Sequence, residues 1–282
     1  MRSNYYRRFR RLFVKMANKH SALIQAALNE QISTAEYDGN NLEIDEEPIY
    51  KALLKLYKEV GVLNIKIVQR SITKQNNERW LWVITEYLKQ HLYDKTVLPI
   101  TETTRKQLMA VIVQGEEEGW GIRKIVSNFK NDELTKYRAA LIARTETTRA
   151  ANIGAMIAAM DLGIVVEKEW ISAQDNRTRR IPRDNYDHLH MDGIKVAFNE
   201  PFVVPSLKRI ETLQYPGDPN ASAGNVCNCR CTVGFIPVRD ERGKVIPIES
   251  TEPSHPIRTN PILILLQTFA TLSLLNLIDE EF

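Results

Sequence analysis

The chain has 282 residues, of which 43% are hydrophobic and 26% are charged. These proportions are those of folded globular proteins, so they exclude a fibrous repeat and wholesale disorder, and the length allows one large or two modest domains with a real core. The three cysteines lie between Cys227 and Cys231, which excludes a framework of several disulfides. No apolar signal sequence follows the basic start, so we expect synthesis in a reducing cytoplasm.

The first twenty residues form a basic arm that contains no acidic residue. Apolar residues recur there at helical spacing, namely Phe9, Leu12, Phe13 and Met16. The spacing predicts an amphipathic helix whose basic face meets either solvent or phosphate groups. The candidate DNA-binding residues are Arg7, Arg8, Arg10, Arg11 and Lys15. An acidic stretch without lysine or arginine follows from Glu30 to Glu47, so residues 1–48 are interpreted as a basic arm and an acidic linker.

Residues 49–163 show the apolar periodicity of α-helices and are predicted to form a helical domain. The first helix is indicated by Ile49, Leu53, Leu56, Tyr57 and Val60. Further helices are predicted around residues 80–88, over residues 101–114 and over residues 134–161. We expect Gly163 to end the last helix, because glycine readily takes the left-handed conformation found after helix ends.

After Gly163 the pattern changes to the two-residue alternation of a strand, from Val165 to Trp170. Further strands are predicted at Ile194–Phe198 and Cys231–Val238. The predicted fold class is therefore α+β, with a mainly helical N-terminal half followed, over residues 164–240, by a small α+β module with short antiparallel strands. Residues 241–282 are predicted to be a proline-broken linker and an apolar terminal helix. Polar residues interrupt that helix, so we expect it to dock on protein rather than cross a membrane.

Four stretches of the sequence, taken in order, carry a recognisable pattern. They are Ala143-Arg144-Thr145-Glu146 with Asn152 and Gly154; Trp170 with Asp175, Arg177 and Arg179; His188 with Met191, Asp192 and Gly193; and Tyr215-Pro216-Gly217-Asp218 followed by Cys229-Arg230-Cys231. In this order, over about residues 101–238, they resemble the phage minor head family, also described as head morphogenesis or Mu F-like proteins.

The resemblance implies a non-enzymatic virion protein that lies in the capsid interior near the portal, after assembly in the host cytoplasm. Its implied partners are the portal protein, other head proteins and packaged double-stranded DNA, and its implied roles are head assembly, DNA packaging or DNA ejection. A small-molecule substrate and a membrane are not expected. Relatives can carry a toxin domain behind this module, but only about forty residues follow Val238, so we expect the plain structural form.

The histidines and cysteines of the module suggest a metal site. In an extended segment Cys227, Cys229 and Cys231 would share one face, and zinc accepts sulfur and imidazole ligands in a tetrahedron. The hypothesis is a structural zinc bound by His188, Cys229 and Cys231, with Cys227 or His190 as the fourth ligand.

The same residues have simpler interpretations that stay open. Buried free cysteines are common small hydrophobic residues, and His188 could bond a backbone carbonyl at the Asp192-Gly193 turn. Four arginines could pair with neighbouring aspartates or contact phosphates, and the mixed sign favours pairing. These are Arg177, Arg179, Arg180 and Arg183, beside Asp175, Asp184 and Asp187.

Two other functions remain as alternatives. The basic arm alone could make the chain a nonspecific DNA-binding protein, whose affinity would fall with salt. Asp187-His188 with Asn199 faintly resembles the signature of metal-dependent HNH nucleases. That fold needs a further ligand on a following helix, and the later histidine, His255, lies in the proline-rich linker.

Overall fold

The computed structural model describes residues 5–15, 18–19, 44–72, 92–118, 120, 124, 127–128 and 132–248. The fold is α+β, as predicted, with helices in the first half and short antiparallel strands in the second. The chain forms two compact units, one from Met1–Tyr57 and Leu88–Thr147, the other from Lys58–Tyr87 and Thr148–Phe282. The predicted helix at residues 80–88 and the predicted terminal helix lie outside the described residues.

Helix α1 (residues 5–15) is the predicted amphipathic helix of the basic arm. Tyr5, Phe9 and Phe13 are buried at intervals of four residues, which places them on one stripe. The Tyr5 hydroxyl donates to the carbonyl of Lys55. The buried aromatic side chains therefore hold this helix in place, and exposed basic side chains lie on the opposite face.

Helix α2 (Glu47–Ile72) is longer than its apolar pattern predicted. It begins with Glu47 and Pro48 in its first turn, where an acid complements the helix dipole and proline lacks only an N–H that the helix does not use. All of the predicted apolar positions are buried, namely Ile49, Leu53, Leu56, Tyr57 and Val60.

A π-helical turn, Tyr93–Val97, leads into helix α3 (Leu98–Glu117). Threonine hydroxyls in this region donate to carbonyls four residues earlier, as Thr101 does to Val97 and Thr104 to Ile100. Those hydroxyls are thereby satisfied inside a buried face. Within the described residues, no helix has both the length and the apolar character that a bilayer crossing requires.

Helix α4 (Asp132–Met160) corresponds closely to the helix predicted over residues 134–161. Near its C-terminal end it approaches α2 so closely that a Cβ atom on Gly154 would lie 2.5 Å from the carbonyl oxygen of Gly61. Glycine is required there because any side chain would collide with backbone. Gly163 follows the helix with a φ of 66°, as expected for a residue after a helix end.

The strands form a three-stranded antiparallel sheet and a separate hairpin. In the sheet, β1 (Val166–Ile171) lies between β2 (Lys195–Ala197) and β5 (Thr232–Pro237). All three correspond to predicted strands. Val166, Lys168 and Trp170 point to the buried face of β1, as the alternation indicated, so a lysine stands fully buried between two apolar residues.

The hairpin of β3 (Phe202–Val204) and β4 (Glu211–Leu213) was not predicted, nor was the one-turn helix α5 (Ala223–Val226). The segments around β3 and β4 show no alternation long enough to be distinguished from chance. Both elements nevertheless contribute to the candidate site.

Candidate metal centre

His188 lies in the loop between β1 and β2 and is 1% exposed. Its backbone N–H donates to the carbonyl of Arg179, which fixes the loop behind the ring. The imidazole packs edge-on against Trp170, with ring centroids 5.2 Å apart. His188 is therefore a rigidly held core histidine rather than a solvent-exposed one.

Cys229 and Cys231 are buried opposite His188, but the chain reaches them differently from the prediction. The expected extended segment from Cys227 to Cys231 is wrong, because Asn228 takes a left-handed conformation, with a φ of 59°, in a turn after α5. Asparagine tolerates that conformation better than most residues. Cys227 consequently does not share a face with the other two cysteines.

The distances between these side chains suit a metal. The Nδ1 atom of His188 lies 3.5 Å from the Cys229 sulfur and 3.7 Å from the Cys231 sulfur. Tetrahedral zinc, with Zn–S of about 2.3 Å and Zn–N of about 2.0–2.1 Å, would place sulfur and nitrogen ligands about 3.6 Å apart. Among the described residues, these three side chains form the group that could hold a metal ion.

The predicted fourth ligands do not join this group. Cys227 is half-buried at the end of α5, and His190 is exposed. The described part of the chain therefore supplies three of the four ligands of a tetrahedral site.

The two thiols are electrostatically unequal. The pKa of Cys231 is lowered, chiefly because Cys229 donates a hydrogen bond to its sulfur. The pKa of Cys229 is raised by the same hydrogen bond and by burial. The pair thus favours a thiolate at Cys231 over one at Cys229, and thiolate is the form of cysteine that binds metals.

Trp170 lies beside the sulfur of Cys231. Its indole N–H is buried and has no hydrogen-bond partner of normal geometry. It nevertheless lies close enough to Cys231 to lower the pKa of that thiol. A buried N–H beside sulfur fits a negatively charged ligand set, because it would stabilise the charge that remains on metal-bound thiolates.

Asn152 of α4 links two of the sequence motifs beside the site. Its Nδ2 donates to the carbonyls of Pro216 and Cys231, and its Oδ1 accepts from the Thr232 hydroxyl and the Val233 N–H. An asparagine offers both donors and acceptors, so it can satisfy all of these groups at once.

Arg149, one turn earlier on α4, donates to the carbonyl of Gly217, whose φ is 89°. The Asp218 carboxylate closes the same turn by accepting from the N–H groups of Gln214 and Asn220. Burial raises the pKa of Asp218 in spite of those bonds. The Tyr215-Pro216-Gly217-Asp218 motif is therefore a buried turn held by the helix.

Lys168 is a buried cation that sequence reasoning did not single out as a site residue. Its Nζ donates to the backbone carbonyl and the side-chain oxygen of Gln214, at 3.0 and 2.7 Å. Burial lowers its pKa to about 7, although Asp218 and Glu200 favour the charged form.

The remaining motif residues build the loop that carries His188. The Asp192 carboxylate accepts from the Ser172 N–H and the Gln174 amide, which shapes the turn at Gly193. Asp175 forms a two-pronged ion pair with Arg230, which holds the pKa of the aspartate well below its usual range.

The predicted pairing of the arginines is confirmed in part. Arg183 pairs with Asp184, whereas the partner of Asp175 is Arg230. Arg179 instead donates to the carbonyl of Cys227.

The candidate DNA-binding residues lie on α1, in the other unit, and take no part in the metal centre. Arg7, Arg11 and Lys15 are exposed at intervals of four residues, while Arg8 and Arg10 are half-buried. The helix therefore presents a stripe of three cations opposite its aromatic stripe.

Comparison with known proteins supports the resemblance carried by these motifs. Residues 106–234 match the model of the family described as Phage Mu protein F like protein. This confirms the predicted resemblance over the part of the chain that holds the motifs.

Two curated relatives are similar over parts of their length. An uncharacterized protein of Bacillus subtilis, YqbB, is 26% identical over 140 residues, which are 49% of this chain and 43% of the relative. An Enterococcus faecalis protein named NAD(+)–arginine ADP-ribosyltransferase EFV is 30% identical over 125 residues, which are 43% of this chain and 23% of the relative. The chain thus spans less than half of either relative. No solved structure gave a significant match.

Proposed function

Because residues 106–234 match the phage Mu F-like family, we propose that this protein is a non-enzymatic minor component of the phage head. It works inside the capsid beside the portal and the packaged double-stranded DNA, in head assembly, packaging or ejection. The observation that supports a structural rather than a catalytic role is that the matched motifs are used internally. Asn152, His188 and Asp218 are all buried and bonded to other parts of the same unit.

A nuclease is a poorer interpretation of the same residues. An HNH-type histidine must reach a water molecule, whereas both ring nitrogens of His188 face buried protein groups. Asp187 accepts from the backbone N–H of His190. The name of EFV includes a transferase activity, but the stretch that this chain shares with EFV is 23% of that protein.

We further propose that His188, Cys229 and Cys231 hold a structural zinc ion. The support is the ligand geometry, the thiolate character of Cys231 and the indole N–H of Trp170 beside the sulfur. Elemental analysis of protein purified without chelators should find about one zinc per chain. The Cys229→Ser/Cys231→Ser variant should lose it, and wild-type protein without zinc would overturn the proposal.

DNA contact is assigned to the cationic stripe of α1. If each of the three cations neutralises one phosphate, a plot of log K for DNA binding against log salt concentration should have a slope of about −2.7. The chain needs no base recognition for this role, because phosphate contacts are independent of sequence.

The test is copurification from infected cells, with an internal tag near Asp38 and elution at low and high salt. Portal protein should remain bound at high salt, whereas DNA should be released. The Arg7→Gln/Arg11→Gln/Lys15→Gln variant should lose DNA and keep portal protein.

The matched control, Lys58→Gln/Lys66→Gln/Arg70→Gln, removes three exposed cations from α2 and should keep both partners. DNA recovery without portal protein would contradict the head-assembly proposal. Equal DNA loss in the variant and the control would contradict the role of α1.

A further inference from the structure

We propose that Glu211, acting through Asn225, selects the tautomer of His188 that presents Nδ1 to the metal. Both would then be positioning residues of the zinc site, and the inference rests on the zinc proposal above. The His188 Nε2 atom lies 2.6 Å from the Asn225 Oδ1 atom, on the ring side opposite the sulfurs.

The first step is the orientation of the Asn225 amide, which is fully buried. Its Nδ2 lies 2.9 Å from a carboxylate oxygen of Glu211. A carboxylate can only accept hydrogen bonds, so the amide must turn its NH₂ group towards Glu211. The amide oxygen is then left facing His188, and the usual ambiguity of amide orientation is resolved by chemistry.

The second step is the position of the proton on His188. The Asn225 oxygen can only accept, so Nε2 must carry the ring proton. In a neutral imidazole the other nitrogen, Nδ1, then holds a free lone pair. That lone pair faces the sulfurs of Cys229 and Cys231, where a metal would bind.

The third step is what holds Glu211 in place. Its carboxylate accepts from the Tyr186 hydroxyl at 2.7 Å and from the Ser222 N–H at 3.2 Å, besides the Asn225 amide. Burial raises the pKa of Glu211, but these hydrogen bonds outweigh burial and lower it. The carboxylate is thus stabilised in its charged, accepting form.

These contacts assign a role to two elements that no motif indicated. Glu211 lies on β4 and Asn225 on α5, and through them the hairpin and the one-turn helix support the ligand from behind. Without the carboxylate, the Asn225 amide could flip. A flipped amide would donate to Nε2 and drive the proton to Nδ1, which would remove the lone pair that the metal needs.

The experiment uses the full chain and three graded variants, Asn225→Leu, Glu211→Gln and Tyr186→Phe. Zinc affinity is measured by competition with a chelator, and loss of a group that orients a metal-binding histidine should weaken it about 10- to 100-fold. We expect the largest loss for Asn225→Leu and the smallest for Tyr186→Phe. Glu241→Gln removes an exposed carboxylate of the same unit and should leave the affinity unchanged.

Two further readouts separate positioning from folding. Cobalt(II) absorption spectra should show the same tetrahedral sulfur-containing ligand set in wild type and in Glu211→Gln. Nitrogen NMR of the metal-free protein should find the His188 proton on Nε2 in wild type, and a population with the proton on Nδ1 in Glu211→Gln.

The outcomes are distinguishable. Wild-type protein that binds zinc, with unchanged affinity and tautomer in all variants, would overturn the relay and leave the zinc proposal intact. Wild-type protein without zinc, but with the predicted tautomer and its change in Glu211→Gln, would overturn the zinc proposal and support the relay.

Discussion

The two units of the chain are stabilised in different ways. In the first, α1 and the start of α2 bury aromatic and aliphatic side chains such as Phe9, Phe13 and Leu53, beside buried hydrogen bonds such as that of Tyr57 with Glu146. In the second, buried polar residues such as Asn152, Lys168 and His188 carry long-range hydrogen bonds. An apolar core tolerates changes of shape, whereas a buried polar network fails when one member loses its partner. The second unit should therefore be the more sensitive to single substitutions.

The largest effect should follow removal of the metal. A zinc chelator, or Cys229→Ser/Cys231→Ser, should lower the free energy of unfolding of the second unit by on the order of 3 to 5 kcal/mol. Hydrogen exchange should show lost protection over residues 166–237 and unchanged protection over residues 5–15 and 47–57. Equal loss in both units would contradict the difference between them.

Asn152→Ala should be next in size. It leaves two carbonyls and the Val233 N–H without their partner, and each unsatisfied buried group is costly, so we expect a loss on the order of 3 kcal/mol. Asn64→Ala, which removes a single part-buried bond to Val60, is the control and should cost less than about 1 kcal/mol. Chemical denaturation measures both, and similar losses would refute the special role of Asn152.

Gly154→Ala tests close packing rather than polarity. The new Cβ would collide with the Gly61 carbonyl, so we expect a loss of about 2 kcal/mol or more. Gly163→Ala is the matched control, because its Cβ meets nothing within 4 Å and only the positive φ is unfavourable. It should cost about 1 kcal/mol. The reverse order in thermal unfolding would mean that the helices can separate without penalty.

The contribution of Lys168 to stability depends on pH. Its pKa of about 7 lies below that of an exposed lysine, so the unfolded chain binds more protons between pH 7 and about 10. Stability should therefore rise with pH across this window, by at most about 1.4 kcal/mol per pH unit. In Lys168→Met this rise of stability with pH should vanish. The free energy of unfolding is measured by chemical denaturation at several pH values. The same rise in wild type and variant would mean that Lys168 is not its cause.

The difference between the units also explains which features the sequence could predict. Helical periodicity located α2 and α4 because their burial depends on nearby residues of the same helix. The motifs pointed to His188, Cys229 and Cys231 but not to their arrangement, since Asn228 breaks the expected extended segment with a left-handed turn. Glu211 and Asn225 were missed altogether. The role of a buried polar residue depends on the group that it bonds. Asn225 lies 14 positions from Glu211 and 37 positions from His188 along the chain.

The bonds of Asn152 have a consequence for the order of events during synthesis. Its most distant partner, Val233, lies 81 positions further along the chain. When the ribosome has completed α4, the polar groups that will satisfy Asn152 do not yet exist. The buried turn, the cysteine pair and β5 therefore join α4 late in synthesis. In a nascent chain that ends before Thr232, the face of α4 that carries Asn152 would be exposed and could bind another strand or a chaperone.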